Sequence, residues 1–324
     1  MYKIAKEKQA ELIGLIAEHQ EVYEADVIRK RPIKHVFFPQ SETLYTVDKQ
    51  EGKLTIKPEK LKSQDFVLFG IKACDVRGIE ILDKVYLSDP VDSYYAARRA
   101  HCTIVALACN EPVETCFCQA FAIDPASPEG DVVIWEVGQE LFWKPMTNKG
   151  ESLTKMVEAV LEKVEESQID EQKQKINELM KRLPYSDLTL DGWHGDVLHE
   201  KFDSTLWEDL HQACLACGTC TYLCPTCQCY DIKDYTAGSE ISRYRCWDSC
   251  MYSDFTMMSH GNNRTTQMQR FRQRFMHKLV YFPDNHDGIH SCVGCGKCVE
   301  KCPSGLNIVK VIKAFAQQGS EKNG

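Results

Sequence analysis

The chain has 324 residues, of which 43% are hydrophobic and 27% are charged, so it is long enough for two domains with their own cores. A formal net charge of -8 leaves no basic excess for binding nucleic acid or an anionic membrane surface. No stretch approaches the roughly 20 apolar residues of a membrane span, and the N-terminus shows no secretion signal. The sequence therefore predicts a cytoplasmic protein. Its 17 cysteines indicate metal or redox chemistry more than disulfides.

Alternating helical and extended patterns predict an α/β domain over residues 1–185. The pattern predicts, in chain order, a helix at about 3–20, strands around 36–39, 44–47 and 66–74, a helix at 77–87, and strands at 103–109, 132–137 and 140–145. A charged amphipathic stretch then fits one or two helices. Residues 186–207 are expected to link this domain to the next one.

Two of the predicted strands end in a cysteine, Cys74 in one case and Cys109 in the other. The loop after the second strand supplies Cys116 and Cys118. Ligand sites gather outside the carboxyl ends of strands in open α/β sheets, so these four thiols are predicted to converge on a metal cluster. The alternative is that they are buried structural cysteines. Cys102 lies about 23 Å from Cys109 along an extended strand, at roughly 3.3 Å per residue, and is predicted to be a packed residue.

One cysteine spacing occurs twice in the C-terminal part of the chain. Residues 214–225 read CLACGTCTYLCP and residues 292–303 read CVGCGKCVEKCP. This is the spacing of bacterial two-cluster ferredoxins, in which three thiolates of one run bind one 4Fe-4S cluster and the fourth binds the other cluster. The predicted ligand sets are Cys214, Cys217, Cys220 and Cys302 for one cluster, and Cys292, Cys295, Cys298 and Cys224 for the other.

Zinc is the alternative occupant of these two frames. A zinc site needs only four ligands, one C-x-x-C from each half, and leaves the other thiols and the prolines without a role. Two 4Fe-4S clusters are therefore predicted, close enough together to exchange single electrons. The predicted architecture is an α/β N-terminal domain followed by a C-terminal ferredoxin-like dicluster domain, residues 208–324. Glycines are expected to let the backbone wrap closely around the clusters: Gly218, Gly294 and Gly296.

Residues 230–291 separate the two frames and are predicted to form a helical insert. One stretch of the insert predicts a helix with Phe271 and Phe275 on one face. Three arginines are spread around this helix: Arg270, Arg272 and Arg274. A solvated basic face is one interpretation of them. A surface for an acidic partner, or positive charge placed against the clusters, is the other.

Three further cysteines follow the first frame or lie in the insert: Cys227, Cys229 and Cys250. Thiols so close to one cluster could bind another, with His260 or Cys246 as the fourth ligand. Burial as small apolar residues is the alternative. Together with the N-terminal set, these thiols predict one or two further iron-sulfur clusters.

Several of these motifs together resemble one family. The segments GIKACD, YYAARR, CNEPVETCFC, CPTCQCYD, RCWDSC and CVGCGKC are similar to a family of iron-sulfur subunits found in anaerobic sulfite reductase and, as the beta subunit, in sulfhydrogenases. The motifs outside the two frames make the resemblance specific, because the frames alone occur in many unrelated proteins. Cys246 departs from the family pattern, which has the cysteine of W-x-S-C but not regularly a thiol four residues earlier.

The resemblance implies a relay of electrons between a flavin subunit that handles NAD(P)H and a catalytic subunit. The chain has no G-x-G-x-x-G after a strand, no P-loop and no H-E-x-x-H, which agrees with a relay protein that lacks its own nucleotide site. We therefore expect a non-catalytic relay in a cytoplasmic oxidoreductase of anaerobic metabolism, with an FAD- and NAD(P)-binding flavoprotein subunit and a further redox or catalytic subunit as partners. The second hypothesis is an iron-sulfur reductase acting directly on a small sulfur-containing substrate. The third is a zinc-stabilised interaction protein.

Overall fold

The computed structural model describes residues 1–25, 31–50, 53–194 and 197–322. Its strands, in chain order, are β1 (Tyr2–Ala5), β2 (Glu21–Glu24), β3 (Ser41–Gln50), β4 (Lys53–Pro58), β5 (Phe66–Ile71), β6 (Cys102–Leu107), β7 (Val132–Val137), β8 (Glu140–Pro145), β9 (Glu162–Lys163), β10 (Tyr230–Ala237), β11 (Glu240–Trp247), β12 (Met257–Met258) and β13 (Gly261–Asn262).

The α-helices of the described residues, in chain order, are α1 (Gln9–Ala17), α2 (Lys34–Phe37), α3 (Ala73–Tyr86), α4 (Ser93–Ala100), α5 (Asn148–Val157), α6 (Asp170–Lys181), α7 (Leu198–Phe202), α8 (Leu206–Leu210), α9 (Thr219–Tyr222), α10 (Gln267–Met276), α11 (Phe282–Asn285), α12 (Lys297–Glu300) and α13 (Ile308–Lys322). A π-helical turn, His277–Tyr281, follows α10 directly. None of the helices in these ranges is long and apolar enough to cross a membrane.

The chain divides into two compact units. The first consists of Met1–Ile33, Lys62–Leu190 and Cys292–Gly296, and the second of Lys34–Leu61, Asp191–Ser291 and Lys297–Gly324. This division differs from the predicted boundaries of 1–185, 186–207 and 208–324. Strand β3 accounts for the largest difference, because it pairs with β11 of the insert and takes the segment Lys34–Leu61 into the second unit. Residues 195–196 of the predicted linker and residues 323–324 lie outside the described residues.

The first unit is built on a seven-stranded sheet of order β2-β5-β6-β7-β8-β1-β9. Strands β2, β5, β6 and β7 run parallel, and β8, β1 and β9 continue the sheet in antiparallel pairs. Every residue of β5 is buried, which is expected of a parallel strand covered on both faces. Helices α1 and α5 contribute Leu12, Ile16, Leu153 and Val157 to one core cluster of this unit.

Most predicted elements of this part of the chain are present, but two predictions were wrong. The segment predicted as a helix at about 3–20 begins with strand β1, because residues 2–5 pair with β8, and the α-helix itself is Gln9–Ala17. The segment 36–39, predicted as a strand, begins inside helix α2. Within α2, Lys34 and Phe37 are both buried, and a separation of three residues places them on one helix face.

The second unit contains a four-stranded antiparallel sheet of order β10-β11-β3-β4. The insert therefore opens with a β-hairpin and is not helical throughout. The predicted insert helix is α10, which begins with a capping box between Thr266 and Gln269. Phe271 and Phe275 of α10 pack their rings against Trp207.

Candidate iron-sulfur sites

Three thiols of the first frame, those of Cys214, Cys217 and Cys220, line one small cavity together with Cys302. Cys214 and Cys217 lie in the loop before α9, Cys220 lies on α9, and Cys302 comes from the second frame. Pro303 and the apolar side chains of Leu306, Phe271 and Phe275 complete much of the wall. The structure thus brings together the four cysteines that the spacing assigns to one cluster, and their binding of that cluster stays a prediction.

Gly218 shapes the backbone of this cavity. It has a φ of 73°, in the left-handed region that favours glycine, and it precedes the helix that carries Cys220. A Cβ atom at this position would lie 2.5 Å from the hydroxyl of Tyr252. That hydroxyl donates a hydrogen bond to the carbonyl of Cys217 at 3.2 Å, so the glycine lets the tyrosine hold the ligand loop.

The second frame is divided between the two units. Cys292 and Cys295 belong to the first unit, and Cys298 and Cys302 to the second. Cys298 lies on the short helix α12.

Within the first unit, the second-frame loop lies directly against the loop that carries Cys116 and Cys118. Phe117 N donates to the Gly294 carbonyl at 2.8 Å. A Cβ on Gly294 would lie 2.4 Å from the Phe117 carbonyl oxygen, and one on Gly296 would lie 2.5 Å from that of Thr115. These glycines permit a close approach of two backbones.

Three of the four N-terminal candidate ligands lie near one another in the first unit. Burial, together with the charges of Cys116 and Cys109, raises the pKa of Cys118 to about 12. Cys74 is in the first turn of α3 after β5, and Cys109 is two residues past β6. Because β5 and β6 are parallel neighbours, their carboxyl ends share one edge of the sheet, as the prediction for this set requires. The binding of a cluster here stays a prediction.

Cys102 is separate from this set. It begins β6, at the opposite end of the strand from Cys109, and is fully buried. Burial raises the pKa of its thiol to about 12. It is a packed residue, as its position in the strand pattern predicts.

Cys227, Cys229 and Cys250 form two thiol pairs, one of which includes Cys224 of the first frame. The Cys227 thiol donates to Cys224, which lowers the pKa of Cys224 and raises that of Cys227. Cys250 donates in the same way to Cys229, whose pKa falls to about 7. The charge of Cys227 also raises the pKa of Cys250, so the two pairs adjoin. Besides burial, the charge of Cys224 in turn raises the pKa of Cys298 in the second frame.

The two other residues considered as a fourth ligand lie elsewhere. Cys246 is on β11 opposite Asp231 and lines an open polar cavity with Asp231 and Lys233. His260 is exposed. The thiol adjacent to Cys227 is that of Cys224, which the ferredoxin spacing assigns to the second-frame cluster.

Sequence reasoning missed two buried lysines beside these thiols. Lys34, 2% exposed, donates from Nζ to the carbonyls of Cys227 at 2.9 Å and Thr221 at 3.2 Å. Burial lowers the pKa of Lys34, and the charges of nearby cysteines partly offset that shift. Lys278, 3% exposed, donates to Thr226 Oγ1 at 2.9 Å and to the Ser291 carbonyl at 2.7 Å. The sequence contains one weak indication that Lys278 is buried. It follows Arg274 by one helical turn, next to the aromatic face of α10.

Arg274 is a third buried cation, and its position agrees with the second interpretation of the α10 arginines, positive charge placed against the clusters, and not with a solvated face. It is 3% exposed, and its Nη2 donates to the Cys220 carbonyl at 3.3 Å. Burial alone would lower its pKa, but four cysteines hold the pKa well above its ordinary value. Nε and Nη1 have no hydrogen-bond partner within the described part of the chain. A buried guanidinium with free donors on the wall of a thiol-lined cavity fits an anionic cluster with sulfide acceptors.

No three or more His, Cys, Asp or Glu side chains of the described ranges are grouped so as to hold a single metal ion. A cubane spreads its four thiolates around a core of four irons and four sulfides, and a single zinc ion gathers them around one atom.

Comparison with known proteins identifies one domain of the chain. Residues 213–306 match the family described as 4Fe-4S dicluster domain. The chain therefore contains a 4Fe-4S dicluster domain, and the two cysteine frames lie within it.

The chain is also 34% identical over 283 residues to Sulfhydrogenase 2 subunit beta of Pyrococcus furiosus, covering 87% of this chain and 81% of that protein. It therefore belongs to the sulfhydrogenase beta subunit family, which confirms the resemblance seen in its motifs. No solved structure matches the chain significantly.

Proposed function

We propose that this chain relays single electrons between an FAD- and NAD(P)-binding flavoprotein subunit and a further redox or catalytic subunit of one oxidoreductase. Its family and its dicluster domain make it an iron-sulfur electron-transfer subunit. The name of the relative, a beta subunit, supports a complex of several chains. The lack of a nucleotide-binding motif in the sequence supports a flavoprotein partner that handles the hydride chemistry.

One observation carries the proposal. The cavity formed by Cys214, Cys217, Cys220 and Cys302 draws its ligands from both frames and has an unsatisfied guanidinium on its wall. Ligands crossed between two frames require two clusters close together, and clusters so placed pass electrons one at a time. A zinc site would use neither the crossed arrangement nor all eight thiols.

Further clusters are part of the proposal. Cys74, Cys109, Cys116 and Cys118 are proposed to hold one in the first unit. Cys227, Cys229 and Cys250 are proposed to hold another in the second unit. The adjoining pairs of thiols and the convergence of Cys109, Cys116 and Cys118 support these assignments.

Metal analysis and spectroscopy test the cluster content. Protein purified without oxygen is expected to contain at least about eight irons with matching acid-labile sulfide, and its reduced form is expected to give the EPR signal of two interacting 4Fe-4S clusters. Zinc in place of iron would contradict this expectation. A colourless protein that stays iron-free after reconstitution would do the same.

The relay itself is tested by identifying the chains that bind this protein. Native purification from its source followed by mass spectrometry is expected to recover a flavin-binding, NAD(P)-linked subunit with it. A monomer that oxidises NAD(P)H unaided would contradict the relay.

A second candidate is direct reduction of a small sulfur-containing substrate. The first unit has a cavity of about 300 Å³ at the carboxyl ends of its parallel strands, lined by Lys72, Asn110 and Glu136 among others. Lys72 and Asn110 are close neighbours of Cys74 and Cys109 in the chain, so a polar ligand in this cavity would lie near that thiol set. Turnover of such a substrate by the isolated chain with an artificial electron donor would favour this function over the relay.

A further inference from the structure

One buried arginine adjoins both ferredoxin-type frames. Arg274 lines the cavity of the first frame, and its Nη2 donates to the carbonyl of Cys220 at 3.3 Å. The cysteines that act most strongly on its charge are Cys220 and Cys298. These are the third cysteines of the two frames, so a single guanidinium lies within electrostatic range of the ligands of both predicted clusters.

Packing holds this guanidinium in place. The capping box at Thr266 fixes the start of α10, and the Arg274 guanidinium lies over the ring of Phe275 at 4.6 Å. Phe275 stacks in turn on Trp207. A side chain held by a packed helix and an aromatic wall cannot turn toward solvent without opening the core.

The charge of Arg274 has no carboxylate partner. Nε and Nη1 have no hydrogen-bond partner in the described part of the chain, and no ion pair involves this residue there. The one buried carboxylate described in the second unit, Glu42, is paired with Arg245 at 2.6 Å. An isolated buried charge is strongly unfavourable, so the compensating negative charge has to come from the thiolates and what they bind.

We infer that Arg274 is a shared counter-charge and hydrogen-bond donor for the two ferredoxin-type clusters, and that it raises the reduction potentials of both. This inference rests on the proposed function. When the donor subunit reduces a cluster, one electron is added and no atom or proton leaves, so the cluster with its thiolates becomes more negative by one charge. A fixed positive charge in a low-dielectric interior stabilises that reduced form, and hydrogen bonds to cluster sulfur act in the same direction.

The experiment is an EPR-monitored redox titration of the full chain purified without oxygen, with dithionite as reductant. Arg274→Met removes the charge and keeps most of the apolar stem. It is expected to make reduction of both clusters at least about tenfold less favourable, a shift of about 59 mV to lower potential for a one-electron couple. Arg274→Lys keeps the charge but not the planar fork of donors, and its potentials are expected to stay closer to wild type than those of Arg274→Met.

Arg272→Met is the matched control on the same helix. The Arg272 guanidinium lies 3.6 Å from the Phe202 ring centroid and donates to the Phe202 carbonyl, and this variant is expected to keep wild-type potentials. Unchanged potentials in an Arg274→Met protein with its full iron content would overturn the inference, as would an equal shift in Arg272→Met.

If Arg274→Met does not retain its iron, Arg274→Lys decides. Potentials within about 59 mV of wild type support the counter-charge, and a larger shift overturns it. Wild-type protein without two 4Fe-4S clusters would instead contradict the proposed function, so the two failures can be told apart.

Discussion

The two units surround their cysteines with different side chains. Among the described residues, the first unit buries only two polar side chains, Thr103 and Thr154, whereas the second buries five cations and a single carboxylate. These charged residues are Lys34, Lys201, Arg245, Arg274, Lys278 and Glu42. The excess of buried positive charge therefore lies in the unit that holds the first frame and the two thiol pairs.

This difference shows how each unit would accommodate an anionic cluster. In the second unit, buried ammonium and guanidinium groups would balance the negative charge of thiolates and sulfides. In the first unit none of the described lysines or arginines is buried, so backbone N–H groups and solvent would have to supply the stabilisation. The second unit would thus stabilise its clusters with charged side chains, and the first unit with its loop backbone.

The largest expected effect comes from removing a crossed ligand in the second unit. Cys302→Ser is expected to remove the cluster of Cys214, Cys217 and Cys220, with a loss of about four irons and of the interaction signal in EPR. Cys224→Ser is expected to remove the other ferredoxin-type cluster. Iron analysis and EPR of the reduced variants measure both losses.

Cys227→Ser is the comparison that sharpens this test. If Cys224→Ser and Cys227→Ser abolish the same spectroscopic species, Cys224 serves the thiol pairs and the ferredoxin assignment of Cys224 is wrong. If Cys302→Ser leaves the Cys214 cluster intact, the crossed arrangement itself fails.

The corresponding test in the first unit concerns Cys109 and Cys118. Changing either to serine in the full chain is expected to remove about four irons while the interaction signal of the ferredoxin-type pair remains. Cys102→Ser is the matched control, since this thiol is buried at the far end of β6 and should leave the iron content unchanged. If Cys109→Ser and Cys118→Ser both keep the full iron content, these cysteines are structural and bind no cluster.

A smaller effect is expected from glycines that play similar roles in the two units. In Gly294→Ala the new Cβ would meet backbone atoms of Phe117 at 2.4 to 2.5 Å, and backbone cannot move aside cheaply. In Gly218→Ala it would meet the hydroxyl end of Tyr252, which can rotate away. Both positions have positive φ, which costs about 1 kcal/mol for alanine.

We therefore expect Gly294→Ala to lower the free energy of unfolding by about 3 kcal/mol or more, and Gly218→Ala by about 1 to 2 kcal/mol. Denaturant unfolding of the two variants under anaerobic conditions measures the difference. Equal losses would mean that the loop around Cys116 and Cys118 is no more rigid than the Tyr252 side chain.

The parts of this molecule that could be predicted from sequence are those written in local patterns. The two frames follow from spacing alone, and the buried strands β5 and β6 follow from apolar runs. The assignment of residues 34–61 to the second unit could not be predicted, because β3 pairs with β11 about two hundred positions later in the chain.

The burial of Lys34 and Lys278 could not be predicted for a related reason. Periodicity assigns a charged residue to the exposed face, whereas Lys34 donates to carbonyls 187 and 193 positions away. The pairing of Cys224 with Cys227 is local, but the ferredoxin spacing had already assigned Cys224 to another cluster. Prediction from sequence is thus limited in two ways: it does not detect long-range contacts, and it assigns a residue such as Cys224 to only one of two possible sites.

The effect that appears only at low pH tests whether the cationic interior of the second unit also governs its stability. Burial, together with the charges of Lys278 and Arg264, lowers the pKa of His277 to about 4. The folded chain therefore keeps this imidazole neutral at pH values where the unfolded chain, with an ordinary pKa near 6.5, binds a proton. The stability present above pH 6.5 is lost as the pH falls from 6.5 toward 4, by about 2 kcal/mol between pH 7 and pH 5.

His277→Gln removes this titration, so its unfolding free energy is expected to depend less steeply on pH than that of wild type over the same range. His260→Gln, at an exposed position, is the control and is expected to keep the wild-type slope. Equal slopes in His277→Gln and wild type would show that His277 accepts its proton without resistance from the neighbouring cations. The interior next to Lys278 would then be more open to water than its burial indicates, and the contrast with the first unit would rest on Arg274 and Lys34 instead.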